Sequence, residues 1–312
     1  MKGEMKMKEY YPEGFLTGLE ENSRYLQSAA GLSSAANEGV ILEAPAILCD
    51  RAHDLTVDLG SMKGIIRHEE GAIGIDDGTT RDIAIISRVG KPVCFKVLNI
   101  ETDENGELFA SLSRKAAQIE CRDYILQNLS AGDIVTAKIT HLESFGAFCD
   151  IGCGNVALLP IDSISVSRIS HPRDRFCVGD NIKAIIKSIS PDGRITLTHK
   201  ELLGTWEQNA GQFSQGQTVT GTVRSVEDYG IFVELTPNLA GLAETGPDVE
   251  VGDGVCVYIK NIIPEKMKIK LIIIDKLDFS PREKIKYYFS GGHIDRFDYS
   301  PQISVKRISV EF

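Results

Sequence analysis

The chain contains a single tryptophan, and none of its apolar runs approaches the roughly 20 residues needed to cross a bilayer. The longest, "KLIIIDKL", is strand-sized, and the opening "MKGEMKMKEYYPEG" lacks the continuous apolar core of a secretory leader. A membrane partner is therefore not expected. Positive charge is also in deficit: 34 Lys and Arg face 44 Asp and Glu, for a formal net charge of −10. That excludes a polybasic nucleic-acid coat, because neutralising phosphates requires local cations. It leaves room for a small basic face on an acidic body. The seven cysteines are odd in number and scattered over 312 residues, so they form no disulfide framework, and a reducing cytoplasm is the expected location.

Reactive constellations are missing too. No nucleophile–base pair or carboxylate cluster stands out, so no catalytic residue is assigned and the chain is not expected to be an enzyme. Asp150, Asp162, Asp174 and Asp180 read as turn residues. Cys149 and Cys153 have a ligand-like spacing, with His171 and Cys177 beyond them. That first pair spans a strand-to-turn passage, and buried thiols explain it more simply than a metal. "GCG" at 152–154 lacks the third glycine and following helix of a dinucleotide site. No metal, cofactor or small-molecule substrate is expected.

What the chain does have is repetition. "AGDIVTAKITHLESFGAF" (131–148) aligns with "QGQTVTGTVRSVEDYGIF" (215–232), and "VGDNIKAIIKSISPDGRITLTHK" (178–200) with "VGDGVCVYIKNIIPEKMKIKLII" (251–273). Period-two alternation, β-branched residues and Gly/Asp/Pro punctuation predict strands. A blurred third copy runs upstream over 40–66 and 89–115, where the aromatic frame has decayed to His53 and Thr56. Five short strands per unit predict a mainly β chain of three tandem five-stranded OB-type barrels joined by short helices. The predicted boundaries are an N-terminal helical segment (1–38), a degenerate first barrel (39–119), a second barrel with its leading helix (120–203), a third barrel (204–276) and a tail packing on a neighbour (277–312). Residues 10–37 read as one or two short helices interrupted by "SAAGLSSAA", and the Trp206 segment as an interdomain anchor.

The stretch "GDIVTAKITHLESFGAFCDIG", with "ALLPID", "VGDN" and "GRITLTHKE" downstream, resembles the RNA-binding domain named after ribosomal protein S1. The resemblance spans 130–273 strongly and 39–115 weakly. It implies an OB fold, single-stranded RNA (messenger) as partner, a bacterial-type role in translation, and the small ribosomal subunit as a further partner. Where the family often carries a His at the end of the third strand, this chain has Arg67, Pro160 and Glu244.

Within that frame Phe145 and Phe148, and again Tyr229 and Phe232, are expected to face outward and stack unpaired bases. Each stacked base contributes roughly 1–3 kcal/mol with little regard to its identity. Lys138, Arg173 and Arg194 in the middle repeat, and Arg224 and Lys268 in the last, are the expected phosphate contacts. The loop "SRISHPRDRF" (167–176) reads as a cationic rail beside them. His141 and His199 lie on strands or strand ends, either touching phosphate or serving as surface or core histidines. A rival from another class makes the acidic first repeat a protein-docking module, or the whole chain an accessory to a ribonuclease.

Overall fold

The computed structural model describes residues 10–246, 248–279 and 285–312. The opening residues 1–9, on which the leader reading partly rests, lie outside the described residues, as do 280–284 of the tail. Two compact units divide the chain: 1–129 with 136–138 and 150–156, and the remainder. Among the described residues no helix is long and apolar enough to cross a membrane.

The N-terminal segment forms α1 (Glu20–Leu26) and α2 (Ala29–Glu38). Here the structure corrects the sequence reading, because "SAAGLSSAA" is itself most of α2 rather than a break. Ser28 caps the helix by accepting from the Gly31 N–H, alanines favour it, and Gly39 closes it in the left-handed conformation. Gly31 is required on the near side, since a Cβ there would sit 2.5 Å from the Tyr25 carbonyl oxygen.

The expected three barrels are all present and closed. The first orders β1 (Ile41–Cys49), β2 (Leu55–Asp58), β3 (Lys63–Ile66), β4 (Pro92–Thr102) and β5 (Leu108–Ser113) as β1-β2-β3-β5-β4, with α3 (Ile83–Ile86) in the long β3–β4 connection. After α4 (Arg114–Asn128) comes the second barrel, of β6 (Ile134–Glu143), β7 (Gly146–Asp150), β8 (Val156–Pro160), β9 (Asn181–Ile189) and β10 (Ile195–Thr198). Beyond α5 (Trp206–Ala210) lies the third, of β11 (Thr218–Glu227), β12 (Gly230–Thr236), β13 (Leu239–Ala243), β14 (Gly254–Ile263) and β15 (Lys268–Lys276). The first and third barrels share one pattern, a parallel β3–β5 or β13–β15 pairing that closes an otherwise antiparallel sheet. The second likewise joins β8 and β10 in parallel.

Alternation explains the closure. In β11 and β12, Val223, Ile231, Val233 and Leu235 point inward with Val255, Val257, Ile259 and Leu271. Leu42, Leu55, Val57, Ile66, Phe95 and Leu112 fill the first barrel. Each such aliphatic side chain, fully buried, contributes roughly 1.5–3 kcal/mol.

In the first unit, the segment before α1 is secured by buried carboxylates. Glu43 on β1 accepts from the Gly14 N–H and from the Thr17 N–H (2.8 Å) and hydroxyl (2.9 Å). Glu13 accepts from Arg114 Nε at 2.7 Å and Nη2 at 3.0 Å, and from Arg88 Nη1 at 3.2 Å. The Glu13 N–H in turn donates to Asp150 at 2.7 Å. Burial opposes the charge on Glu13, but the two guanidinium groups hold its carboxyl below the usual range. Asp150 is pushed up to about 7 by burial and by the Glu13 charge. It does hold a turn, through the Gly152 and Gly154 N–H groups, and it also anchors the chain start.

In the second unit, the tail from 285 onward binds back. Tyr288 N–H donates to the Leu202 carbonyl, Ile134 N–H to that of Gly292, and Trp206 N–H to that of Tyr299. Trp206 is buried with the third barrel's core. The alternation in "QISVKRISVEF" yields only β17 (Ser309–Glu311), paired with β16 (Arg296–Asp298).

Candidate nucleic-acid interface

Two-residue turns, Ser144–Phe145 and Asp228–Tyr229, join the first two strands of the second and third barrels. A turn this tight places its second side chain clear of the barrel, and Phe145 is 54% exposed and Tyr229 69%. Three residues on, Phe148 and Phe232 emerge half-buried on the outer face of β7 and β12. The Phe145–Phe148 centroids are 5.9 Å apart with planes at 88°, and those of Tyr229–Phe232 are 6.1 Å apart at 85°. The same edge-to-face pair is built twice.

A glycine separates the two rings in both barrels. Its value lies in close approach, joined at Gly230 by a φ of +153°: a Cβ on Gly146 would lie 2.6 Å from the Leu159 carbonyl oxygen, and one on Gly230 2.7 Å from that of Ala243. The neighbouring strand presses against these positions, and that pressure seats the second ring. Perpendicular planes also mean that each pair presents two separate faces and an edge, not one flat platform.

His141 adds a third ring in the second barrel, 6.4 Å from Phe148 and tilted by only 27° to it. The third barrel has Ser225 opposite Phe232 instead. On the third barrel the register runs Phe232↔Leu242, Leu242↔Lys270 and Lys270↔Asn261, setting an exposed lysine in the same cross-strand row as the ring. Sequence reasoning missed Lys270 because parallel β13–β15 pairing is invisible to a linear alignment. For His141 the sequence leaves a phosphate contact, a surface histidine and a core histidine open, and its alignment with Phe148 depends on three-dimensional placement.

The expected cations divide into two groups. Arg194, on the β9–β10 turn, is 86% exposed and meets Asp192 at 2.7 Å. Arg173 and Lys268 are also exposed. Lys138, by contrast, is half-buried and donates to the Glu13 carbonyl at 2.8 Å. Arg224 forms a two-pronged pair with Glu234, at 2.9 and 3.1 Å, and its side chain is only 11% exposed. Arg175 reaches the same Glu234 carboxylate from the second barrel's long loop. That loop therefore joins two barrels rather than lining a groove: Ser167 N–H donates to the Pro237 carbonyl, and Val166 N–H to Asn238 Oδ1 at 3.1 Å. His199 is fully buried, its Nδ1 2.9 Å from the Ile164 carbonyl and its Nε2 3.2 Å from the Tyr287 hydroxyl. Burial lowers its pKa to about 4, so it is a neutral core histidine.

Closed five-stranded barrels with outward ring pairs at the first turn define a tandem array of OB-type modules. Residues 128–200 match the family described as "S1 RNA binding domain". The chain is 32% identical over 201 residues to small ribosomal subunit protein bS1 of Staphylococcus aureus (strain COL), covering 59% of this chain and 50% of that protein. The corresponding protein of Staphylococcus saprophyticus is 36% identical over 137 residues, covering 42% of this chain and 35% of its own. The chain thus spans about half the length of the first of these curated relatives. Among solved structures, a multidomain protein with nucleic acid binding domains from Streptococcus pneumoniae aligns over 75% of this chain and 73% of its own, at 13% identity and a TM-score of 0.25.

Proposed function

We propose that this chain is a non-catalytic single-stranded RNA-binding protein that acts in translation, holding messenger at or near the small ribosomal subunit. The observation that carries the reading is the repeated ring pair, exposed at the same turn of two barrels that share one ion-paired junction. Bases stack on the faces of Phe148 and Phe232, with Phe145 and Tyr229 bracketing them and His141 extending the second barrel's surface. Arg173, Arg194, Lys268 and Lys270 supply phosphate contacts, which are sequence-blind and salt-sensitive. Lys138 and Arg224 shape the fold beneath and contribute indirectly. The match of 128–200 to an RNA-binding family and the likeness to bS1 support the substrate and the setting.

Because the second and third barrels are joined by Arg175, Glu234 and Arg224, their two ledges form one prearranged pair of weak sites. A strand long enough to reach both gains from effective concentration. Titration of single-stranded RNA at two salt concentrations tests this. A linear fall of log affinity with log salt reports the few phosphate contacts, and a residual high-salt affinity reports stacking. Complete loss of binding at high salt would leave electrostatics alone and remove the stacking reading.

A further inference from the structure

We propose that His53, His68 and Asp82 of the first barrel bind a divalent transition-metal ion of the zinc class. Each residue offers one donor atom, and the three donors lie within 4.8 Å of one another. His53 Nδ1 is 3.2 Å from Asp82 Oδ2, and His68 Nε2 is 2.8 Å from Asp82 Oδ1. In a tetrahedral zinc site with bonds of about 2.0–2.1 Å, neighbouring donors stand roughly 3.3 Å apart. The two His–Asp edges already have nearly that length, so an ion needs only small rotations of the side chains to enter. Two imidazoles and one carboxylate are a donor set suited to zinc, cobalt, nickel or copper rather than to magnesium or calcium.

The three residues come from three separate stretches, and each is held before any ion arrives. His53 sits in the β1–β2 turn with a φ of +65°, a conformation that side-chain-bearing residues rarely adopt. Asp50 secures that turn by accepting from the Ala52 N–H at 2.8 Å and the Asp54 N–H at 2.9 Å. Asp54 then accepts from the His68 N–H at 2.8 Å and pairs with Arg67 at 3.2 Å, tying the end of β3 to the same turn. Asp82 stands immediately before α3. Its two carboxylate oxygens each face one imidazole, Oδ2 toward His53 and Oδ1 toward His68. The side chains are 35%, 36% and 48% exposed, which leaves a fourth position open to water. On binding, each imidazole coordinates as the neutral ring through the nitrogen now facing Asp82, with its single ring proton on the other nitrogen, so a tautomer shift and no net loss of a proton from a neutral ring suffices.

The test uses the full chain, stripped with a chelator and titrated with Co²⁺ followed by visible absorption, and with Zn²⁺ by calorimetry. One saturable site per chain is expected, with ligand-field bands and no thiolate-to-cobalt charge-transfer band. His68→Gln and Asp82→Asn should each weaken it at least tenfold while circular dichroism stays unchanged. A measurement on the unaltered chain stands beside them: Zn²⁺ should shift the imidazole nitrogen resonances of two of the six histidines. No saturable site, a thiolate signature, affinity unchanged from the parent chain in both variants, or no shifted histidine would each overturn the proposal.

Discussion

The first turn of the first barrel and the first turns of the other two occupy the same place in the fold and carry opposite chemistry. In the second and third barrels a two-residue turn projects an aromatic ring, and a glycine two positions before the second ring lets the next strand press close. In the first barrel the turn is longer, runs through Asp50, and projects His53 against His68 and Asp82. The barrel itself asks only for alternating apolar residues inward. The outer turn is free to carry a ring for stacking or a donor for coordination, and which it carries decides what a barrel can bind.

The ties that hold these barrels differ as well, and the largest predicted effect separates them. Arg114→Ala leaves the Glu13 charge buried with only Arg88 beside it, and should destabilise the first unit by about 3–5 kcal/mol. Calorimetric melting should show that unit's transition falling sharply while that of the second barely moves. Equal shifts in both would deny that the Glu13 cluster is local.

Next in size is a pH effect confined to the second unit. Folded His199 stays neutral down to about pH 4, whereas an unfolded histidine takes up its proton near 6.5. In that window the unfolded state binds more protons, so acidification should remove about 3 kcal/mol of stability between pH 6.5 and 4. His199→Gln should flatten this part of the stability profile, and an unchanged slope would place the titration elsewhere.

Smaller effects probe the ledges. Phe148→Ala should cost RNA affinity about 1–3 kcal/mol, whereas His53→Ala should leave it unaltered. Affinity losses of similar size in both would erase the contrast between the barrels. Smallest of all, Arg194→Gln should reduce the salt slope of RNA binding by about one phosphate contact with little change at high salt.

Much of this architecture is legible in the chain itself. The repeat from "GDIVTAKI" to "GQTVTGTV", with its alternation, predicts closed barrels, and the spacing of Phe145 to Phe148 and Tyr229 to Phe232 predicts rings on the outside. Other features were hidden because they depend on residues far apart in sequence. Glu13 meets Arg114 across 101 positions, and Arg175 meets Glu234 across 59. Nothing in the local pattern around Arg175 or Arg224 distinguishes a guanidinium committed to a buried carboxylate from one waiting for phosphate. His53, His68 and Asp82 follow no ligand-spacing motif, since the first barrel's strand order is what assembles them. In α2, the serines and glycine suggest a break by composition, and the caps at Ser28 and Gly39 override it.

The central claim is best tested by measuring single-stranded RNA affinity at high salt for the full chain and for the Phe148→Ala, Phe232→Ala double variant. Base stacking on these rings predicts that the parent retains measurable binding there and that the double variant, still folded, loses nearly all of it. Equal high-salt affinities in the two proteins would contradict it.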